Sequence, residues 1–253
     1  MFHLSSHYLT LVVVSAVTMP TLARGQVTSR NSSASPESAE QSAKAENQTE
    51  QSVVFFLGTP NLAAKEALVS YATASRELAL KTEVKPLGRF PIKKHLYGDT
   101  KAALFGLALY PSENAAKAFF ESNDYRRITP LRDRAFHSLN ILMASTGQGA
   151  KEIQSSKSLV LMVGKVNPEE SDAMRQYAKG SQLLAQKLGV RPLCRYKVTQ
   201  QLAGELAADI VGIAEFPSDA SVSSYFNSPA YKALLPSRAK AFSSLDIYLL
   251  KAN

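Results

Sequence analysis

The sequence predicts an α+β fold in which two ferredoxin-like β-α-β-β-α-β repeats share one chain and pack sheet to sheet as a barrel-like pair. Three observations carry this. Residues 52–145 align with 158–251 without a gap, Ser52 on Ser158 and each later position at the same shift of 106 residues. About a third of the aligned pairs are identical, beyond what chance produces. Each copy holds apolar runs of strand length and segments of helical period in one shared order. The first strand of each copy, Val53 to Gly58 and Leu159 to Gly164, is apolar on both faces. A ferredoxin-like sheet carries helices on one face only, so the other face needs a cover, and the second copy is the nearest one.

Taken in order, residues 1–23 have the pattern of a secretory signal peptide. Leu9 to Ala23 is an uncharged apolar run too short to span a bilayer, and Thr21-Leu22-Ala23 closes it with a small-x-small string, so cleavage is expected after Ala23. The leading segment lacks the usual Lys or Arg. Residues 24–51 are rich in Ser, Ala, Glu and Gln, cannot bury enough apolar surface to order themselves, and are expected to be a solvated tether. The folded part, two repeats at 52–145 and 158–253 joined by a Gly-, Ser- and Gln-containing linker at 146–157, is then expected in the periplasm or outside the cell, with no transmembrane segment after signal removal.

Within each copy, Leu68, Tyr71, Ala72, Ser75, Leu78 and Ala79 recur at helical spacing, matched by Met174, Tyr177, Ala178, Ser181, Leu184 and Ala185. In the second copy Asn167 precedes Pro168, Glu169 and Glu170, which is an N-terminal signature. Lys85 to Lys94 and Arg191 to Gln200 alternate and predict the second strand; Ala102 to Tyr110 and Asp209 to Phe216 predict the third. A helix capped by Ser112 or Ser218 follows, breaks near Asn123 or Pro229, and resumes through Pro130 or Pro236. The last strand is Leu139 to Ala144, or Leu245 to Leu250.

Composition excludes much. The 253 residues contain one Cys, so there is no intrachain disulfide and no thiolate zinc site. Beyond the signal the only histidines are His95 and His137, without partners at metal-ligand spacing, and both are expected at the surface. No phosphate-binding loop, dinucleotide fingerprint, nucleophile elbow or His-Glu-x-x-His string occurs, so no cofactor and no metal are expected. Three basic and four acidic residues precede Ser52, which leaves +9 on the remainder against +8 for the whole chain. The cations are scattered, Lys93-Lys94 and Arg126-Arg127 being the notable pairs, and no strand shows the aromatic pattern that stacks RNA bases. Nucleic acid is therefore not the expected partner.

Some strings look familiar. Glu215-Phe216-Pro217-Ser218, Tyr225 to Tyr231 and Leu234 to Arg238 resemble the C-terminal half of the bacterial domain of unknown function 1330 family, and Arg195-Tyr196 resembles its Gly-Gly-Arg-Tyr strand motif. The first copy resembles it through Leu87-Gly88-Arg89-Phe90, Tyr110-Pro111-Ser112 and Phe119 to Tyr125. The resemblance implies the dimeric α+β barrel superfamily, whose single-domain members pair sheet to sheet; here the pair would form within one chain, so a monomer is expected. The double glycine is eroded to Leu87-Gly88 and Leu193-Cys194, and Leu109 stands where the second copy has Glu215, so any site built on these residues is asymmetric.

Candidate ligand-binding residues are Arg89, Arg195, Glu215, Tyr125 and Tyr231. Arg89 and Arg195 lie on the opposite pleat from Phe90 and Tyr196. If the aromatic side faces the helices, the arginines face the space between the sheets and could hold a carboxylate, phosphate or enolate oxygen; otherwise they pair with protein carboxylates or reach water. Glu215 shares a pleat with Val211 and Ile213, and would either pair with Arg195 or move a proton. Tyr125 and Tyr231, at the helix break, and Cys194 are more ordinary as packed residues, and Arg132 and Arg238 as braces. Three readings follow: a non-catalytic protein holding a small anionic or apolar metabolite between its sheets, an enzyme resembling cofactor-independent monooxygenases or isomerases with Arg195 and Glu215 at work, or an interaction module, which requires an interior filled by side chains.

Overall fold

The first copy runs β1 (Ser52–Pro60), α1 (Lys65–Leu80), β2 (Lys85–Tyr97), β3 (Leu104–Tyr110), α2 (Glu113–Glu121), α3 (Asn123–Ala135) and β4 (Phe136–Ser145). The second runs β5 (Ser158–Val166), α4 (Ser171–Lys187), β6 (Arg191–Ala203), β7 (Ile210–Phe216), α5 (Asp219–Asn227), α6 (Pro229–Lys232), α7 (Leu235–Ala241) and β8 (Phe242–Leu250). Strand boundaries therefore repeat, within one residue, at the shift seen in the sequence. The computed structural model describes residues 51–146, 150, 152, 153 and 155–251. The signal peptide and tether expected at 1–51 lie outside the described residues, apart from Gln51. The described residues all belong to one compact unit.

Local chemistry explains the helix starts. Ser112 and Ser218 accept from the backbone N–H of Ala115 and Ser221 at 3.0 and 3.2 Å, as expected of N-caps. Ser122 and Ser228 do the same for Tyr125 and Tyr231, each at 3.0 Å, so the helix break is itself a capped restart. Asn167 accepts from Glu169 N–H, but what it opens is a 3-10 turn at Pro168–Glu170, and the α-helix begins at Ser171.

The eight strands close into one antiparallel barrel in the order β1-β3-β2-β8-β5-β7-β6-β4. The expected pair of stacked sheets is thus joined at both edges by backbone hydrogen bonds. The joining segments are the ends of β2 and β6, which run three residues past the predicted Lys94 and Gln200. Ile92 to Tyr97 pair with Leu250 to Ile247 of β8, and Lys197 to Ala203 pair with Ser145 to Ile141 of β4.

Every neighbouring pair is antiparallel, so β4 and β8 run the same way and the copies are related about the barrel axis. β1, β2, β5 and β6 start at one end, here the upper rim; the β2–β3 and β6–β7 hairpins mark the lower rim. The interior holds Phe55, Phe90, Phe105, Tyr196 and Tyr248 among aliphatic side chains of both copies. Phe55 and Phe105 stack with centroids 6.1 Å apart, and Tyr196 tilts onto Phe55 at 5.5 Å. Each such ring contributes about 1.5–3 kcal/mol of burial. Ala150 and Ile153 of the linker pack on this core from the upper rim, and Ala102, Leu206 and Ala208 from the lower. Two further layers, sheet against helices, lie outside the barrel.

Each hairpin is locked onto the other copy. The buried Asp246 carboxylate of β8 accepts from Thr100 N–H at 2.9 Å, and the buried Asn140 side chain of β4 accepts from Glu205 and Leu206 N–H at 3.0 and 2.9 Å. The hairpins approach so closely because Gly98 and Gly204 turn at φ 101° and 84°. A Cβ at either position would overlap the side-chain oxygen of Asp246 or Asn140. Gly98→Ala and Gly204→Ala are each expected to cost about 2–3 kcal/mol from strain and loss of the lock, more than Asn140→Ala at about 1–2 kcal/mol, in chemical denaturation monitored by circular dichroism.

Candidate functional site

The arginines do not face the barrel. Phe90 and Tyr196, with Ile92, Cys194 and Val198, point into its interior, which puts Arg89 and Arg195 on the outer, exposed side. The physical reason is coverage. The helices reach β2 and β6 only near their ends, at Leu96 and at Leu202 and Ala203, so the aromatic rings of these strands find burial only inside. Tyr125 and Tyr231 do not line the space between the sheets either. Both are buried in the outer helix layers, where the Tyr125 and Tyr71 hydroxyls lie 3.4 Å apart and the Tyr231 hydroxyl accepts from Arg238 at 2.9 Å. Arg238, 7% exposed, braces this layer as expected, and its guanidinium also lies 3.7 Å over the Tyr97 ring. Burial raises the Tyr71 and Tyr177 hydroxyls far above the ordinary phenol range, so both stay protonated. Cys194 faces the interior beside Tyr196, and burial pushes its thiol up to about 11, which suits packing and not reactivity.

Glu215 does not pair with Arg195. At the upper rim, 5% exposed, it accepts from Ser155 Oγ at 2.6 Å and from Nε and Nη2 of Arg191 at 3.2–3.3 Å, with Lys157 Nζ at 3.5 Å. Register explains the switch, since Arg191 is the direct cross-strand neighbour of Glu215 whereas Arg195 stands opposite Gly212 on the outer pleat. Hydrogen bonding from Ser155, then Arg191, holds the carboxyl below its ordinary range, which keeps it ionised and unsuited to donating a proton. Sequence reasoning missed Arg191, Ser155 and Lys157; the i-to-j register that unites them appears only on folding. Beside this cluster a cleft of about 320 Å³ is bordered by Lys93, Lys157, Lys251 and the N-terminus of α5, where Asp219 pairs with Lys93 and accepts from Ser158.

A larger cleft of about 1260 Å³ lies at the lower rim, on the axis relating the copies. Its walls are the two hairpins and the first residues of β4 and β8, so equivalent positions of the two copies line it: Asp99 and Glu205, His137 and Ser243, Ser138 and Ser244. None of these six side chains makes a hydrogen bond or ion pair among the described residues. Tyr97 and Arg238 close one side. The cleft was not singled out from the sequence, where Arg238 stands only as a brace and His137 only as a surface residue, although Gly98 and Gly204 followed by Asp99 and Glu205 at the common shift were a usable signal. Among the described residues no cluster of three metal-binding side chains occurs.

Residues 160–252, essentially the second copy, match the family described as Domain of unknown function (DUF1330). No curated protein matches the chain. Among solved structures, an anthrone oxidase-like protein is similar at 14% identity and a TM-score of 0.55, over 81% of this chain and 92% of its own. A mutant chlorite dismutase from Candidatus Nitrospira defluvii is similar at 11% identity and a TM-score of 0.50, over 83% of this chain and 94% of its own. These likenesses are in fold: the chain has the dimeric α+β barrel architecture, here completed by two repeats in one polypeptide.

Because Glu215 titrates below its unfolded value, its cluster stabilises the fold above the unfolded carboxylate pKa and that contribution disappears as pH falls through the folded one. Asp219, held down chiefly by Lys93, acts with the same sign. The denaturation midpoint is expected to drop between about pH 5 and about pH 3, and less steeply in Glu215→Leu, which copies Leu109 and at neutral pH should stay within about 1 kcal/mol of the parent because its charged partners return to water.

Proposed function

We propose that the protein is a non-catalytic binding module, a rigid two-copy body that acts through its outer surface and engages its partner at the axial cleft of the lower rim. The observation that carries this reading is the filled interior. The space in which a metabolite between the sheets would sit is taken up by Phe55, Phe90, Phe105, Tyr196 and Tyr248, and both mouths are packed with linker and hairpin side chains. Small-molecule recognition, if it operates, moves from between the sheets to the rim.

Likeness to an anthrone oxidase-like protein offers an enzymatic reading by analogy of fold alone. The residues that reading needs are apart: Arg195 is outside the barrel, and Glu215 is held by Arg191 and Ser155. The proposal takes the chain to be exported, on the signal-like run Leu9 to Ala23, and to work as a monomer, because the barrel completes itself within one chain.

The test is whether the interior accepts an apolar probe. Native mass spectrometry and the fluorescence of anilinonaphthalene sulfonate are expected to show no retained or added apolar molecule in the parent protein. Phe105→Ala, at a cost of about 3–5 kcal/mol, should create a cavity and with it dye binding. An apolar molecule held stoichiometrically by the parent would restore the metabolite pocket and overturn the module.

A further inference from the structure

The axial cleft joins features that its role in holding the hairpins does not use. Tyr97 is an exposed aromatic residue, 43% accessible, in a cleft lined by polar side chains together with Leu139, Leu206, Phe242 and Leu245. Its ring is not loose: the buried Arg238 guanidinium lies 3.7 Å over one face and is itself anchored to the Tyr231 hydroxyl. The stacked cation holds the ring while leaving it accessible in the cleft it lines. Such a pre-positioned ring is a stacking platform, with the orientation entropy removed before any ligand arrives.

The two hairpins contribute carboxylates, Asp99 and Glu205, with no cation paired to either among the described residues, and β4 and β8 contribute hydroxyls on Ser138, Ser243 and Ser244. The choice of ligand follows from charge. Unpaired carboxylates on both walls repel an anion. The net charge of +9 from Ser52 onward, against +8 for the whole chain, offsets part of the attraction that the two carboxylates exert on a cation. A neutral ligand rich in hydroxyl donors satisfies the carboxylates by hydrogen bonding, and one with an apolar C–H face also covers Tyr97.

Resting on the module reading above, we propose that the axial cleft binds a neutral saccharide, one sugar ring stacked on Tyr97 and its hydroxyls donating to Asp99 and Glu205 from opposite sides of the axis. The two-sided arrangement suits a chain lying across the rim better than a single ring, and the volume of about 1260 Å³ accommodates several sugar units.

Saturation-transfer difference NMR with maltotriose and chitotriose tests this, with gluconate and spermidine as charged controls. Transfer from protein to the sugar C–H protons is expected for at least one trisaccharide, reduced at least tenfold in Tyr97→Ala and in the double variant Asp99→Asn with Glu205→Gln, and retained in Tyr97→Phe. Circular dichroism melting confirms that each variant is folded; the exposed double variant keeps the test valid should Tyr97→Ala unfold. Co-sedimentation with amylose resin or chitin distinguishes polymer from free sugar as the source, and either supports the site. No transfer to either trisaccharide, transfer undiminished in the variants, or binding of spermidine in place of sugars overturns the saccharide assignment. The module reading would survive that result, since it stands or falls on the apolar probe.

Discussion

The structure depends on the ends of two long strands crossing to the opposite copy. A four-stranded ferredoxin-like sheet alone has one bare apolar face and two open edges, both unfavourable in water. By running on to Tyr97 and Ala203, β2 and β6 hydrogen-bond to β8 and β4, which closes the edges and shuts the bare faces inside at once. The Asp246 and Asn140 locks, the positive-φ glycines and the interior rings are all consequences of that crossing. Among the described residues the closed barrel leaves no unpaired sheet edge.

Symmetry holds where the body is built and fails at the rims. The helix brace repeats as Tyr71, Tyr125 and Arg132 in one copy and Tyr177, Tyr231 and Arg238 in the other. At the seams the equivalents diverge. His95 stacks on Tyr248 at 5.0 Å with Nε2 3.7 Å from Asp246, whereas its counterpart Gln201 donates to its own hairpin at Gly204, beside the neutral Asn140. Glu215 with its cationic partners has the apolar Leu109 as its counterpart in the other copy, and Cys194 replaces Gly88, where a Cβ would strike the Phe90 ring. Two equal halves thus yield a scaffold whose ends carry different chemistry.

Much of this was legible in the sequence because the copies check each other. Ser112 and Ser218 announce helices together, and the paired strand patterns place all eight strands. What was not legible is what a distant partner decides. The last three residues of β2 and β6 lack a strand pattern of their own and become strand only by pairing with the other copy. Alternation along Arg89-Phe90 and Arg195-Tyr196 separates two faces without naming which is inside; the closed barrel, not the helices, claims the rings. Of the two readings open for Glu215, the structure shows a paired carboxylate, but with Arg191 in place of Arg195, because the bulge between Pro192 and Cys194 sets the register.

The axis gives the body two unlike poles. Gln51 and Lys251 both lie at the upper rim, where Gln51 C=O accepts from the Thr146 hydroxyl at 2.9 Å and Lys251 N–H donates to Pro91 C=O at 2.8 Å, while the wide cleft opens at the opposite pole. Anchored to a solid support directly at Gln51 or Lys251, the molecule would present the cleft outward, away from its point of attachment.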